Sequence, residues 1–509
     1  MGRKLLASLV ALLGFGAWGA ALAAPVAFYT DLTSAPPGAY VTIWGREFGA
    51  LPGVVHVGTG VAWGADILSW SDSKIEIRLP PGASEGIQVV TADFQIANPL
   101  PFSTRPFGRI FYVSKSLGFN GYDGLAPEPV NGSGPWRDLT PVLSAVGPGD
   151  VVYLRAGVYD EIDDATYASH FFVRVGHPRG TAQAPIALVA FPGETPLLGG
   201  LGLRAIRIES GQAYWTFAKL DLWGESAAVD MGGPLNSTTG IRLVGNHAAN
   251  IPSAYGTLSF RACVDCQILG NHVHHSGRPG SKLSHLIYYG GYGVGANVEI
   301  AWNHLHDQYG GRCIQVYGHT DWDQLSALSI HDNLAYDCPL DGILVGGSDA
   351  DKKAWISDAQ VFNNVVCRLG GSGIRIDSQG VIARVLHNVS CLNWLGLLLQ
   401  DAAQVEASNN IFALNQNGPL RVDVPMSLDY SHNGYYGDQP PSFDWHAVVG
   451  PPIFVHPYAG DFRLMLDSPY KYQAKILLDP PAALAYRLPP APDLGVISPL
   501  GPMPLFLDE

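Results

Sequence analysis

The sequence predicts an all-β chain in which a small N-terminal β-sandwich precedes a long parallel β-helix. Three observations lead there. Asparagine recurs eight times, at Asn246, Asn271, Asn303, Asn333, Asn364, Asn388, Asn410 and Asn433, with spacings of 25, 32, 30, 31, 24, 22 and 23 residues. Each stands three residues after an apolar or aromatic position: Leu243, Ile268, Ile300, Ile330, Val361, Val385, Ala407 and Tyr430. The runs that carry them, such as VEIAWN, LSIHDN and ARVLHN, alternate apolar and polar residues, which is the period of a strand and not of a helix. Finally, the first hundred or so residues break into short apolar runs separated by Pro/Gly turns, the spacing of a sandwich.

Self-similarity at this period means stacked units, each burying an apolar face against the next. A coil of short parallel strands with a turn of ~22–25 residues is a β-helix. Stacked asparagines then bond one another's amides along the coil and satisfy polar groups at a tight turn.

In chain order, residues 1–23 read as a secretory signal: Arg3 and Lys4, an apolar run from Leu5, and Ala21-Leu22-Ala23 as the A-x-A site. The run is short for a spanning helix, and no later segment is apolar enough to span a bilayer, so the chain is expected to be exported with no membrane insertion after cleavage. The net charge of −14 disfavours nucleic acid and anionic membrane surfaces as partners. Charged residues make up only 15%, which argues against disorder.

Residues 24–107 form the sandwich. Strands at Tyr40–Trp44, Val54–Val57, Lys74–Leu79 and Ile87–Val90 are separated by turns at Pro36-Pro37-Gly38, Pro52-Gly53 and Pro80-Pro81-Gly82. The wording PPGAYVTIWGREFG, then ILSWSDSKIEIRLPPGASEGIQVV, resembles the IPT/TIG immunoglobulin-like domain. That resemblance implies a spacer or adhesive module with no catalytic residues, and a contact with cell surface or matrix through this domain. A Pro-rich linker (Pro99, Pro101, Pro106) closes it.

Residues 108–475 form the coil, and 476–509 a Pro-rich tail. RIFYVSKSLGFNGYDG, GPWRDLTPVLSAVGPGDVVYLRAGVYDE and APIALVAFPGETPLL resemble the N-terminal part of secreted right-handed parallel β-helix proteins of the pectin lyase-like fold. In them a segment like Trp136–Ala145 is a capping helix and GDVVYLRAGVY the first strand pair, while PPIFVHPYAGDFRLMLDSPY is similar to their closing segment. Asp138 and Thr140 suit the helix N-terminus, and a cap protects the open edge of the coil.

The last repeats are near the minimum turn length, but those from Asn271 to Asn364 run 30–32 residues. The excess must leave the coil as loops, around Ser276–Ser284, Gly318–Leu325 and Gly346–Trp355, and loops on consecutive turns wall a cleft. One strand recurs beside them: Gly342-Ile343-Leu344-Val345, Gly373-Ile374-Arg375-Ile376 and Gly396-Leu397-Leu398-Leu399. Cys313-Ile314-Gln315-Val316 and His285-Leu286-Ile287-Tyr288 fit the same slot. Alternation then turns Gln315, Tyr317, Arg375, Asp377, Gln400, His285 and Tyr289 outward in rows. Tyrosine faces stack on sugar rings, and Arg, Gln and Asp pair with hydroxyls or carboxylates.

β-Elimination from a uronic acid needs a base for the proton beside the carboxylate, a cation for the enolate and a donor for the leaving oxygen. Lys282, Lys352, Lys353, His285, His319 and Tyr289 are candidate bases; Arg375, or a calcium held by Asp349 and Asp351, would stabilise the enolate. This arrangement resembles the β-helix polysaccharide lyases, which use Lys or Arg with or without calcium. No family-specific catalytic signature accompanies the resemblance, so no residue role is transferred. Arg375, His285, Lys282 and Tyr317 are the candidate catalytic residues. Tyr289, Gln315, His319, Asp377, Gln400 and Lys352 are the candidate substrate-binding ones. The expected function is an exported protein directed at extracellular polysaccharide, a lyase on acidic glycan if an enzyme. The alternatives are a non-catalytic surface or adhesive rod and a glycoside hydrolase using Asp341 and Asp377, with Asp321 and Asp349 on the loops.

Asn271-His272-Val273-His274-His275 and Asn303-His304-Leu305-His306-Asp307 occupy equivalent positions on neighbouring turns, so His272 falls near His304 and His274 near His306, at about the ~4.8 Å strand spacing. Such a stack could bind a transition metal; the reading preferred here is rings bonded to the next turn's backbone, with no metal ligand assigned. The six cysteines, Cys263, Cys266, Cys313, Cys338, Cys367 and Cys391, all lie in the repeats. An oxidising compartment permits disulfides, but in-register cysteines are expected here as core filling, and the isolated Cys263-x-x-Cys266 points to neither zinc nor redox chemistry.

Overall fold

The computed structural model describes residues 24–496 apart from 164, 167, 233–237, 292, 321, 348–354, 403, 424–426, 458–460 and 482–492. Lys352, Lys353, Asp321, Asp349 and Asp351 therefore lie outside the described residues, and with them the expected calcium ligands. The chain is an N-terminal immunoglobulin-like β-sandwich followed by a right-handed parallel β-helix, and it divides into two compact units. One unit holds 24–251 and 265–272; the other holds 252–264 and 273–496.

In the first unit, one sandwich sheet runs Val26–Thr30, Tyr40–Arg46, Lys74–Arg78, Ile67–Trp70, and the other Ser34–Ala35, Leu100–Thr104, Glu85–Val90, Val54–Val57, Gly60–Ala62. Alternation drives the packing: Val41, Ile43, Ile75, Ile77, Val55, Val57, Ile87 and Val89 are all buried. Early coils follow, with Ile110–Val113, Val151–Leu154, Ile186–Ala190, Trp215–Ala218 and Arg242–Val244 stacked in parallel. The capping helix is a single turn, Val142–Ala145, that buries Val142 and Leu143. Asp138 Oδ1 accepts the Thr140 N–H at 3.1 Å just ahead of it.

The sandwich is not a bead on a linker. Lys219, from the coil, reaches the buried Asp31 carboxylate at 3.3 Å and donates to Thr42 Oγ1 at 2.8 Å. Arg242 donates to the carbonyls of Asp31 and Thr30 at 2.6 and 2.9 Å. The Tyr153 hydroxyl donates to the Tyr40 carbonyl and accepts its N–H. Arg105, six residues past Pro99, donates to the Gly149 carbonyl at 2.6 Å. Buried charge is tolerated only when paired and hydrogen-bonded, so these cross-contacts fix the sandwich on the early coils.

The second unit carries three parallel sheets. The first stacks Gly256–Arg261, His285–Gly290, Arg312–Gly318, Ile343–Gly347, Ser372–Asp377, Leu395–Gln400 and Leu420–Val422. The second runs from Val294–Ala301 to Ser427–Ser431, the third from His304–Gln308 to Gly434–Tyr436. Between second and third sheets lies the asparagine column. Asn303, Asn333, Asn364, Asn388 and Asn410 each place backbone N–H and side-chain amide on the carboxamide oxygen of the next asparagine, at 2.9–3.1 Å. Asn433 ends the column on Asp444.

The residue before each of these asparagines is left-handed: Trp302, Asp332, Asn363, His387, Asn409 and His432 have φ between 54° and 62°. In the first unit Gly245 and Gly270 occupy that place before Asn246 and Asn271, which also bond to each other. The positive φ swings the chain between sheets at a cost of about 1 kcal/mol or more for a non-glycine residue, offset by the buried amide column. A shorter column, Asn393, Asn415 and Asp438, repeats the same bonding at another corner.

The expected core-filling cysteines are instead bonded. Cys367 pairs with Cys391, its in-register partner, and Cys313 with Cys338; Cys263 and Cys266 are disulfide-bonded as well. Adjacent parallel strands bring in-register Cβ atoms within bridging reach. The C-terminal segment is also part of the body. Phe454, Phe462, Leu464, Tyr470, Leu494 and Val496 pack on Tyr336, Cys367, Cys391 and Ala413 of the third sheet. No helix among the described residues is long and apolar enough to cross a membrane.

Candidate functional site

On the first sheet of the second unit, Ile287, Ile314, Ile343, Ile374 and Leu397 point into the core, so their neighbours point out. One outward row is Ser259, Tyr288, Gln315, Leu344, Arg375, Leu398, Arg421. A second includes Arg261, Gly290, Tyr317 and Gly346, then Asp377 and Gln400. Arg375, Asp377, Gln400, Gln315 and Tyr317 thus stand on one face, as alternation requires.

The slot expected for His285–Tyr288 is off by one residue. His285 pairs with Arg312 and Tyr288 with Gln315, so Tyr288 faces out and Tyr289 faces in. Tyr289 is fully buried, its hydroxyl donating to the Cys263 carbonyl at 3.0 Å, and it cannot touch a substrate. His285 is buried at the start of the strand, stacked on Tyr288 at 5.6 Å; burial, with the nearby Arg312 cation, pushes its imidazole down to about 3. A ring held neutral and enclosed is a poor candidate base, and its place passes to Tyr288. Lys282 sits exposed on the turn before this strand.

Two clusters occupy the face. In the first, the Tyr288 hydroxyl meets His319 Nε2, and Tyr317 packs edge-on to the same imidazole at 5.2 Å. Gly290 makes room for this, since a Cβ there would come within 2.7 Å of the Tyr288 hydroxyl. The loop carrying His319 is pinned by the buried Asp323, which accepts the N–H groups of His319, Thr320 and Gly293 at 2.6, 3.1 and 2.9 Å.

In the second cluster, Arg375 Nη2 donates to Asp377 Oδ2 at 2.6 Å and Gln400 Oε1 at 2.8 Å. Burial outweighs the neighbouring guanidinium and raises the Asp377 carboxyl above its ordinary range; Asp401 pushes the same way, and Arg375 and Arg312 pull it back. Arg312 donates from Nε to Asp341 at 2.7 Å and from Nη1 to Gln315 at 2.8 Å. Sequence reasoning missed Arg312, because it shares parity with the inward Ile314 and alternation alone does not bring it to the outward face. Asp341 is buried and also accepts the Ser372 N–H at 2.9 Å, so it serves the scaffold and not a hydrolytic pair with Asp377.

The face therefore offers a hydroxyl–imidazole pair able to pass a proton, two guanidinium groups suited to carboxylates, and a carboxyl that burial shifts above its ordinary range. On the third sheet His274 and His306 stack at 4.7 Å and 10°. Their polar contacts include side chains and not backbone alone: His306 Nδ1 meets Asp307 Oδ2 at 2.7 Å, and His274 Nδ1 meets His275 Nδ1 at 2.6 Å.

No family model matches the chain. A cyclomaltodextrin glucanotransferase of Niallia circulans is 40% identical over 75 residues, 14% of this chain and 10% of that protein. The chain spans about a tenth of the length of such curated relatives. Among solved structures, the pectate lyase Pel9A is 15% identical with a TM-score of 0.44, covering 76% of this chain and 96% of its own. The A-module of the Azotobacter vinelandii mannuronan C-5 epimerase AlgE4 is 16% identical with a TM-score of 0.44, covering 67% and 100%. Both TM-scores fall below 0.5; the fold assignment rests on this chain's own strand pairing.

Proposed function

We propose that this chain is an exported, polysaccharide-directed β-helix protein whose outward face around Arg375 binds an acidic glycan, and that it cleaves that glycan by β-elimination. The observation that carries the reading is one sheet face joining Arg375, Arg312, Asp377 and Gln400 with the Tyr288–His319 pair and Tyr317. Disulfides support export, because they persist in oxidising compartments. The N-terminal sandwich is read as an IPT/TIG-like module that serves the coil as a rigid extension.

In the proposed reaction the glycan carboxylate sits on the guanidinium groups of Arg375 and Arg312, with Tyr317 under a sugar ring. The Tyr288–His319 pair removes the proton beside the carboxylate, and the two cations hold the developing enolate charge. The electron pair forms the new carbon–carbon double bond as the glycosidic C–O bond breaks. Asp377, whose carboxyl burial shifts upward and which gives up Arg375 as the glycan carboxylate takes its place, passes a proton to the leaving oxygen. Incubating the exported chain with a panel of uronate glycans, with and without calcium, and following the ultraviolet absorbance of unsaturated uronate tests this. Growth of that absorbance supports the lyase; a flat trace across the panel removes it.

A second reading, a non-catalytic glycan-binding rod, is favoured by one observation: both arginines are already closed by protein carboxylates, Asp377 and Asp341. Glycan retention without product would select it.

A further inference from the structure

The third sheet of the second unit carries a nitrogen-rich cluster that the polysaccharide face does not use. His274, His275 and His306 each place a ring nitrogen so that all three lie within 4.8 Å of one another. The backbone explains why adjacent residues share one flank. Strand alternation would send His274 and His275 to opposite faces, but His275 is left-handed, with φ 47°. Asp307 repeats the device one turn on, with φ 49°, bringing its carboxylate beside His306. His306 sits under His274 by strand stacking and is braced on its other face by Tyr336, at 4.9 Å and 4°.

The proton arrangement suits a metal ion. Nδ1 of His306 lies 2.7 Å from Asp307 Oδ2. A carboxylate oxygen accepts in such a contact, so that Nδ1 carries the hydrogen. The lone pair is then on Nε2. A carboxylate fixing the imidazole in this way is the usual support for a metal-bound histidine. Between His274 and His275 the two Nδ1 atoms are 2.6 Å apart, a contact that needs one hydrogen shared between them. A divalent ion takes the place of that hydrogen, which moves through solvent to the Nε2 of the same ring, so both imidazoles stay neutral and each Nδ1 gives its lone pair. Tetrahedral ligation at ~2.0–2.1 Å asks for nitrogens ~3.3 Å apart, a small opening for the half-buried rings of His274 and His275, while His306 is buried and fixed. Arg368 is the opposing charge: it acts on Asp307, and Asp337 holds it through bonds of 2.9 and 2.5 Å.

We propose that His274, His275 and His306, with Asp307 in support, bind a borderline divalent transition metal of the zinc or copper class, tying two consecutive coils together. Oxygen-preferring ions such as calcium do not fit a three-imidazole set. The test is calorimetric titration of the metal-stripped full chain with Zn²⁺ alone, in parallel with His275→Gln and with His446→Ala, which lies outside the cluster. The account expects saturable binding that His275→Gln weakens at least tenfold and His446→Ala leaves as in the parent. Equal affinity of His275→Gln and the parent chain overturns it. Should His275→Gln fail to fold, electron paramagnetic resonance of the Cu²⁺-loaded parent decides: hyperfine splitting from several imidazole nitrogens upholds the site, and an oxygen-only spectrum refutes it.

Discussion

Replacing Asn364 by Ala removes one rung from the middle of the asparagine column. In the structure Asn364 is fully buried, and its amide donates to the carbonyls of Ile330 and Phe362 and to Asn388 Oδ1 at 2.9–3.0 Å. Its oxygen accepts the N–H of Asn333 at 3.1 Å and the Asn333 side-chain amide at 2.9 Å. The Asn333 amide retains the Ile300 carbonyl, and Asn388 Oδ1 retains the Asn364 backbone N–H. The Asn333 N–H and the Ile330 carbonyl, by contrast, lose these bonds inside the body. A buried group stranded in this way costs about 1–3 kcal/mol, so two of them plus a small cavity destabilise the chain by about 3–5 kcal/mol. Equilibrium urea unfolding followed by tryptophan fluorescence measures this as a drop in midpoint at constant slope. Asn388→Ala, in the same environment one turn on, should cost a similar amount. A loss under about 1 kcal/mol at both positions would refute the idea that the column satisfies the corner backbone.

Other consequences follow from the same geometry. Replacing Cys367 and Cys391 together by Ala opens a loop of 24 residues and should lower stability by about 3 kcal/mol on chain-entropy grounds; unchanged unfolding in parent and variant would show that the bridge does nothing. Asp438 is pushed up to about 6 by burial, from an ordinary value of 3.8, with the Asn415 bonds pulling the other way. Because the folded state binds that proton more tightly than the unfolded one, its contribution favours folding below about pH 4 and is lost as pH rises through about 6. Asp438→Asn should therefore flatten the stability profile between those values and raise stability at neutral pH; a profile parallel to the parent's counts against it. Gly290→Ala should disturb the Tyr288–His319 contact, since its Cβ would crowd the Tyr288 hydroxyl, and lower any glycan turnover about tenfold or more while the fold persists.

Much of the scaffold was legible because a parallel coil repeats its needs. From Arg242–Val244 onward the corner after this strand takes a side-chain amide to meet its backbone, so asparagine returned at each of those turns, and alternation alone put Arg375 and Asp377 outside. The His274–His306 stack followed from spacing in the same way. The failure at Tyr288 and Tyr289 has a clear cause. Leu286-Ile287-Tyr288-Tyr289 is apolar throughout, so no polar position marks the outward parity, and only pairing with Arg312–Gly318 fixes it. Arg312 was missed for another reason, since its parity is that of the inward Ile314. The left-handed residues at the corners are Trp, Asp, Asn and His, not the glycines that usually announce such a conformation. Packing of Leu494 and Val496 on the third sheet, and of the sandwich on Lys219 and Arg242, comes from long-range contacts that local pattern does not encode.

The most direct test of the functional account is affinity electrophoresis of the parent chain and Arg375→Ala through gels containing a uronate glycan. Arg375 bonds Asp377 and Gln400 at the centre of the proposed face, whereas Arg421, lower in the same row, is exposed. The account predicts that the glycan retards the parent and Arg421→Ala but not Arg375→Ala, with any turnover by Arg375→Ala falling about 10²–10³-fold. Equal retardation of all three chains would contradict it.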